Sequence, residues 1–284
     1  EDLAAVKRVI VENVAPHGTA VLNAADPLIA AMAERCPGSV LFFAADPHHP
    51  LLAMHRVQGK RVVFVEAGHL VAAEGSTEQR VPLDQVPLTR GGTIGFQVEN
   101  AMAAMAAAWA LGLEWSQIRA GLRSFVNDAQ SAPGRFNVFD YRGATLIADY
   151  GHNPDAIEAL VRAVDAMPAK HRHVVISGAG DRRDEDLRRQ TEILGDAFDS
   201  VILYEDACQR GRGDGEVLGL LRAGLGRARR ARAIDEIRGE FVAIDTALSR
   251  LRSGDLCLIL VDQVEEALEH IAMRVAEDLA LKAA

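Results

Sequence analysis

The sequence predicts an α/β protein of two domains, the second a doubly wound parallel sheet. Three observations carry this. At 284 residues the chain exceeds one average domain. From about residue 144, continuous apolar runs (TLIA, HVVIS, SVILY, DLCLILV) alternate with helix-length segments, as in a sheet covered on both faces. Between the halves lies NDAQSAPGRFN, where small polar residues surround Pro133 and Gly134, so the expected domains are 1–131 and 132–284.

Each element follows from its residues. TAVLN (19–23) is a short strand that stops before Asp26, and Pro27 opens a helix through LIAAMAER. VLFFA (40–44) and RVVFV (61–65) are further strands, and Gly68 turns the chain into HLVAA as a hairpin. From Asn100, Met102, Met105, Trp109 and Leu113 recur at helical spacing among alanines, the pattern of a closely packed core helix. Ser116 is the expected cap of a second helix with Ile118, Leu122 and Phe125 on one face. In the second domain TLIAD ends at Asp149, and Asn153-Pro154-Asp155 supplies an N-cap, a first-turn proline and an acid for the helix dipole. Helices are then expected from Pro154 and from about Glu185, with strands from His173, Ser200 and Asp255.

Composition narrows the function classes. Hydrophobic residues make up 49% and charged ones 25%, ordinary for a globular protein, and the net charge of −9 opposes non-specific binding to nucleic acid. The basic run GRARRAR (226–232) sits among acids and reads as a solvated face. No apolar run reaches the length of a membrane span and the first residues are acidic, so a cytoplasmic location is expected. Cys36, Cys208 and Cys257 are far apart, which suggests neither a disulfide framework nor a thiolate metal site, and His48-His49 has no third ligand nearby.

Ligands of doubly wound sheets bind at the carboxyl ends of the strands. Polar clusters fall at such ends and at the domain boundary: DYGHN (149–153), SGAGDRRDED (177–186), YEDACQRGRGDGE (204–216) and PGRFN (133–137). Arg135, Arg182, Arg183, Arg210 and Arg212 offer planar forks for phosphate or carboxylate. Asp181, Asp184, Asp186, Asp206 and Glu216 can hold a ribose, a magnesium ion or a cationic substrate. A site with both signs suits a nucleotide together with a charged amino acid. A nicotinamide-dependent oxidoreductase is disfavoured, because no GxGxxG follows a strand and GAGDRR (178–183) fails at the last glycine.

PGRFN, DYGHNPDA, GDRRDEDLRR and RGRGDGE, in that order, resemble the cyanophycin synthetase family in its C-terminal region, which is similar to the Mur ligases. Upstream, EDLAAVKRVIVENVAPHGTAVLNAADP, HHPLLAMHRVQGK, VPLTRGG and VENAMAAMAAAWALG resemble the latter part of the same family's central ATPase domain, so the resemblance covers essentially the whole chain. It implies a partial central ATPase-like domain followed by a Rossmann-like C-terminal Mur-ligase domain. It also implies ATP and Mg2+ as cofactors, arginine and an aspartate polymer as substrates, and a homo-oligomer without nucleic-acid or membrane partners.

Carried over by position, Asn100 resembles the asparagine that contacts adenine, Arg135 the arginine that reaches ribose and phosphates, and Asp149 the acid on the ribose hydroxyls. His152 and Asn153 complete that nucleotide motif. Asp206, Arg210, Arg212 and Glu216 fall where the incoming amino acid is recognised, and Asp181, Arg182, Arg183 and Asp184 are further substrate-binding candidates by their charge. The sequence departs from the family at Ala25 and Ala179, and no GxxxxGK followed by Ser or Thr occurs. A chain without that phosphate loop is expected to turn over ATP weakly or not at all by itself, and its start at Glu1 suggests a piece of a longer protein. Two alternatives stay open: a non-catalytic assembly module with this fold, or another Mur-type amino-acid ligase.

Overall fold

The structure is a computed structural model describing residues 2–205 and 210–283. It divides into two compact units, Glu1–Val126 and Asn127–Ala284.

The first unit runs α1 (Asp2–Glu12), β1 (Thr19–Asn23), α2 (Pro27–Ala31), β2 (Ser39–Ala44), α3 (Pro50–Val57), β3 (Arg61–Glu66), β4 (His69–Glu74), β5 (Thr77–Pro82), α4 (Gly95–Ala110) and α5 (Trp115–Ser124). Its sheet follows chain order, with β1, β2 and β3 parallel and β3, β4 and β5 antiparallel. Ala67 and Gly68 both have positive φ, which gives the tight two-residue turn of the β3–β4 hairpin. The antiparallel part has a third strand, β5, whose polar sequence TEQRVP carries no apolar run.

Helix α2 begins at Pro27 with Asp26 accepting from the Leu28 and Ile29 N–H groups. It tightens into a 3₁₀ turn over Met32–Arg35, so the expected single helix is two short pieces. Helix α4 starts at Gly95, ahead of the periodic stretch, and buries Ala101, Met102, Met105 and Ala106 completely. The cap of α5 is Glu114 and not Ser116. Glu114 and Gln117 exchange side-chain-to-backbone hydrogen bonds in a capping box, which satisfies two otherwise orphan N–H groups. Phe125 follows that helix and is exposed instead of sharing its apolar face.

The second unit runs β6 (Asn137–Tyr141), β7 (Ala144–Asp149), α6 (Pro154–Asp165), β8 (Arg172–Ile176), α7 (Asp184–Ala197), β9 (Ser200–Glu205), α8 (Glu216–Leu225), β10 (Ala233–Arg238), α9 (Glu240–Arg250), β11 (Leu256–Leu260) and α10 (Val264–Ala283). The strand order is β10-β9-β8-β11-β7-β6; every pair is parallel except β6 with β7. The last parallel strand, β11, is thus inserted between β7 and β8, which is a reversal of winding direction.

Alternation along the strands fills two cores. Leu146, Ala148, Val175, Ile202, Cys257 and Ile259 pack with Ala243, Ile244, Ala247 and Leu248 of α9 and Ala267 and Ile271 of α10. Their neighbours Ile147, Val174, Val201, Leu203 and Leu258 point the other way, and all are buried. Helices α6, α7 and α8 pack side by side. Gly224 lets α8 approach α7, since a Cβ there would lie 2.2 Å from the Arg188 carbonyl and from Thr191 Oγ1. Cys36 and Cys257 are free, and Cys208 lies outside the described residues. In the basic run, Arg229 pairs with Asp196 and Arg230 with Asp199. Among the described residues no helix is long and apolar enough to cross a membrane.

Candidate functional site

Because β7, β8, β9 and β11 are parallel, their following loops emerge along one edge of the sheet. Asp149 ends β7 and is buried. Its Oδ2 accepts from the Phe136 N–H at 2.8 Å, and the Tyr150 N–H donates to the Gly134 carbonyl at 2.8 Å, so the PGRFN loop is fastened to this strand end. The loop is also braced from within: Asn137 Oδ1 accepts from Gly134 N at 2.8 Å, and Asn127 Nδ2 donates to the Arg135 carbonyl at 2.6 Å. Burial pushes the Asp149 carboxyl up to about 6, against the downward pull of the Phe136 N–H and the Arg135 charge.

Gly151 sits in a tight place. A Cβ would lie 2.8 Å from Leu160 Cδ1 and 3.1 Å from Asp149 Oδ1, so glycine keeps that second oxygen uncrowded. Arg135 stands 5.9 Å over the Tyr150 ring, and Tyr150 packs against His152 with ring centroids 4.2 Å apart and planes tilted by 41°. His152 Nδ1 is 2.8 Å from the Tyr150 carbonyl, which requires Nδ1 to carry the proton and leaves Nε2 as an acceptor. Burial holds the imidazole below its usual pKa. Asn153 caps α6, accepting from the Ala156 N–H at 2.9 Å.

The β8 and β9 loops meet through arginines. Arg210, in the left-handed region at φ 49, donates to Asp262 Oδ1 at 3.0 Å, lies 3.6 Å from Asp181 Oδ1 and hydrogen-bonds the Tyr150 hydroxyl. Arg212 donates to the Gly180 carbonyl at 2.7 Å, the Arg182 carbonyl at 2.8 Å and Glu216 Oε1 at 2.8 Å, and pairs with Asp184 at 2.9 Å. All three of its nitrogens are therefore engaged in tying the two loops together. Glu216 accepts in addition from the Gly213 N–H at 3.2 Å.

Arg135, Asp149, His152, Asp181, Arg182, Asp184, Arg210, Arg212 and Glu216 thus share this edge. Arg183 turns instead to Asp186 and Glu185, largely exposed. Asn100 belongs to α4 of the first unit, where its Nδ2 donates to Gln97 Oε1 at 3.0 Å. Asp206 lies outside the described residues. Sequence reasoning passed over Asp262, two residues beyond β11, although the strand-end rule that selected the other loops applies to it equally. It also passed over Tyr150, inside the quoted motif, whose ring lies between Arg135 and His152.

A buried acid thus ends β7, and the loops that follow β8 and β9 carry arginines and acids on the same edge of the sheet. Residues 134–277 match the family model described as Mur ligase, glutamate ligase domain. The chain belongs to the Mur ligase family. It is also similar to cyanophycin synthetase from Synechocystis, 37% identical over 96% of this chain and 31% of that protein, and from Trichormus variabilis, 35% identical over 96% and 30%. The chain therefore spans about a third of the length of these curated relatives. Among solved structures, E. coli FolC in complex with DHPP and ADP has a TM-score of 0.68 at 20% identity, covering 96% of this chain and 58% of that one, a likeness of fold. The mixed α/β architecture with two sheets is that of Mur ligases and folylpolyglutamate synthases, and the named relatives are ligases.

Proposed function

We propose that this chain is part of an ATP-dependent amide ligase that adds arginine to aspartate side-chain carboxylates through an acyl phosphate, in cyanophycin biosynthesis in the cytoplasm. Residues 1–131 would then be the latter part of a central ATPase-like domain and 132–284 the C-terminal ligase domain. Similarity to cyanophycin synthetases over 96% of the chain supports the substrate class. The observation that carries the reading is Asp149, a buried carboxylate at a parallel strand end that accepts from the backbone N–H groups of Phe136 and Gly151.

That arrangement fits a nucleotide, with Asp149 accepting from the ribose hydroxyls and Arg135 toward the phosphates; the assignment of Asn100 to adenine rests on the family resemblance alone. His152 and Asn153 shape the turn beneath. The acceptor amino acid is assigned to the β8 and β9 loops, where Asp181, Arg182, Arg183, Asp184, Asp206, Arg210 and Glu216 supply both signs. Arg212 acts there as the brace. Among the described residues no group of three or more His, Cys, Asp or Glu is placed to hold a metal ion.

In the reaction a carboxylate oxygen of the polymer bonds to the γ-phosphorus as its bond to ADP breaks. The neutral amine of arginine then attacks the acyl carbon, phosphate departs and the amine loses a proton. The contribution of these residues is positioning and charge neutralisation. The test is ADP release by the complete protein supplied with an aspartate polymer, with arginine, lysine or aspartate as the amino acid. Arginine-dependent release supports the reading; release indifferent to the amino acid defeats it.

A further inference from the structure

Beneath the site edge lies a carboxylate that none of the assigned roles uses. Glu240, the first residue of α9, is 1% exposed. Its two oxygens accept from consecutive backbone N–H groups, Asp262 at 2.8 Å and Gln263 at 3.0 Å. The Tyr204 hydroxyl, which donates to the Leu260 carbonyl at 3.1 Å, also lies in hydrogen-bonding contact with Glu240. Burying a carboxylate is costly unless its lone pairs are satisfied, and here it is directed at the peptide of one loop. Burial pushes its carboxyl above the usual range while the two N–H groups pull the other way.

What that loop carries is Asp262. Its Oδ1 accepts from Arg210 at 3.0 Å and lies 3.7 Å from His152 Nε2, so a single oxygen faces both the amino-acid loop and the nucleotide loop. The start of α9 is itself fixed to the end of β9, because the Gly239 N–H donates to the Glu205 carbonyl at 2.9 Å. The Glu205 carboxylate in turn accepts from the Gly215 N–H at 3.1 and 2.9 Å, holding the far end of the Arg210 loop. Glu240 and Glu205 therefore hold the loops on either side of Arg210 in one frame.

We propose that Glu240 is a positioning residue of the ligase site: by gripping the Asp262–Gln263 peptide it presents Asp262 as the anchor that seats Arg210 beside His152. The proposal rests on the ligase reading above. Supporting groups of this kind commonly control the geometry of the groups they hold.

The experiment compares E240Q, D262N and the double variant in the complete protein, measuring arginine and ATP kinetics together with the melting temperature. An amide at 240 keeps the shape but turns one N–H acceptor into a donor facing a donor. Each single variant is expected to lower kcat/KM for arginine by about tenfold or more with a clearly smaller change in KM for ATP, and the double variant is expected to fall no further. Multiplying losses, equal effects on both substrates, or wild-type arginine kinetics in E240Q overturn the proposal. If E240Q does not fold, D262N is compared in wild-type and R210Q backgrounds: loss of the D262N effect in R210Q supports the anchor, and an undiminished effect overturns it. A wild-type protein without arginine-dependent ADP release would bring down the ligase reading itself; an active wild type with an unaffected E240Q brings down this inference alone.

Discussion

The carboxylate of Asp149 accepts a hydrogen bond from the backbone of Phe136, 13 residues earlier, at 2.8 Å, while Phe136 holds a left-handed φ of 55. This contact makes the loop before β6 and the end of β7 one rigid unit, and it places a buried acid under a backbone conformation that few side chains adopt.

The pH dependence of stability follows from that acid. Its folded pKa of about 6 lies above the unfolded carboxylate value near ~3.9. The folded state therefore binds this proton more tightly, so the stabilisation is fully present below about pH 4 and is lost as pH rises through 6. One group with this shift contributes at most ~3 kcal/mol. Urea unfolding of wild type and D149N should show wild type losing about 2–3 kcal/mol relative to the variant between pH 4 and 7; a constant difference across that range contradicts the burial argument.

Arg212 ties the 178–184 loop to the 210–216 loop through two carbonyls and the Asp184 carboxylate, and its pair with Glu216 holds its own loop. R212A should lower the melting temperature by several degrees and expose both loops to limited proteolysis. R212K should fall between, because an ammonium cannot present the planar fork that reaches both carbonyls. Equal melting of all three proteins would remove the brace.

The α7–α8 contact depends on Gly224. A methyl group there meets the Arg188 carbonyl and Thr191 Oγ1 at 2.2 Å, and the latter donates to the Leu221 carbonyl at 2.7 Å. G224A gains helix propensity of roughly 1 kcal/mol yet should destabilise the chain by about 2 kcal/mol or more, as overpacking does. A more stable G224A would mean that the two helices separate freely.

The passage from β7 to α6 was legible because Asn153-Pro154-Asp155 combines three independent helix-start signals, and the cap forms as those signals require. The parallel core strands were legible as continuous apolar runs. Strands β5 and β10 were not, since TEQRVP and AIDEIR are edge strands whose solvent-facing residues erase the apolar pattern. Ser116 failed as a cap because Glu114 with Gln117 makes the same hydrogen bonds two residues earlier. Sequence exposed the charge of Arg212 but not its use, because the carbonyls it reaches lie 30 and 32 residues away in the chain. Asp262 was overlooked for a related reason: an acid just past an apolar strand looks like an ordinary turn until Glu240 and Arg210 are seen on either side of it.

The most direct measurement is the mass of an aspartate polymer after incubation with the complete protein, ATP, magnesium and arginine. The account predicts a ladder of products, each step heavier by one arginine less one water, with one ADP released per step and no ladder when ATP is withheld. ADP release without a change in polymer mass, or a ladder built from another amino acid in preference to arginine, would contradict it.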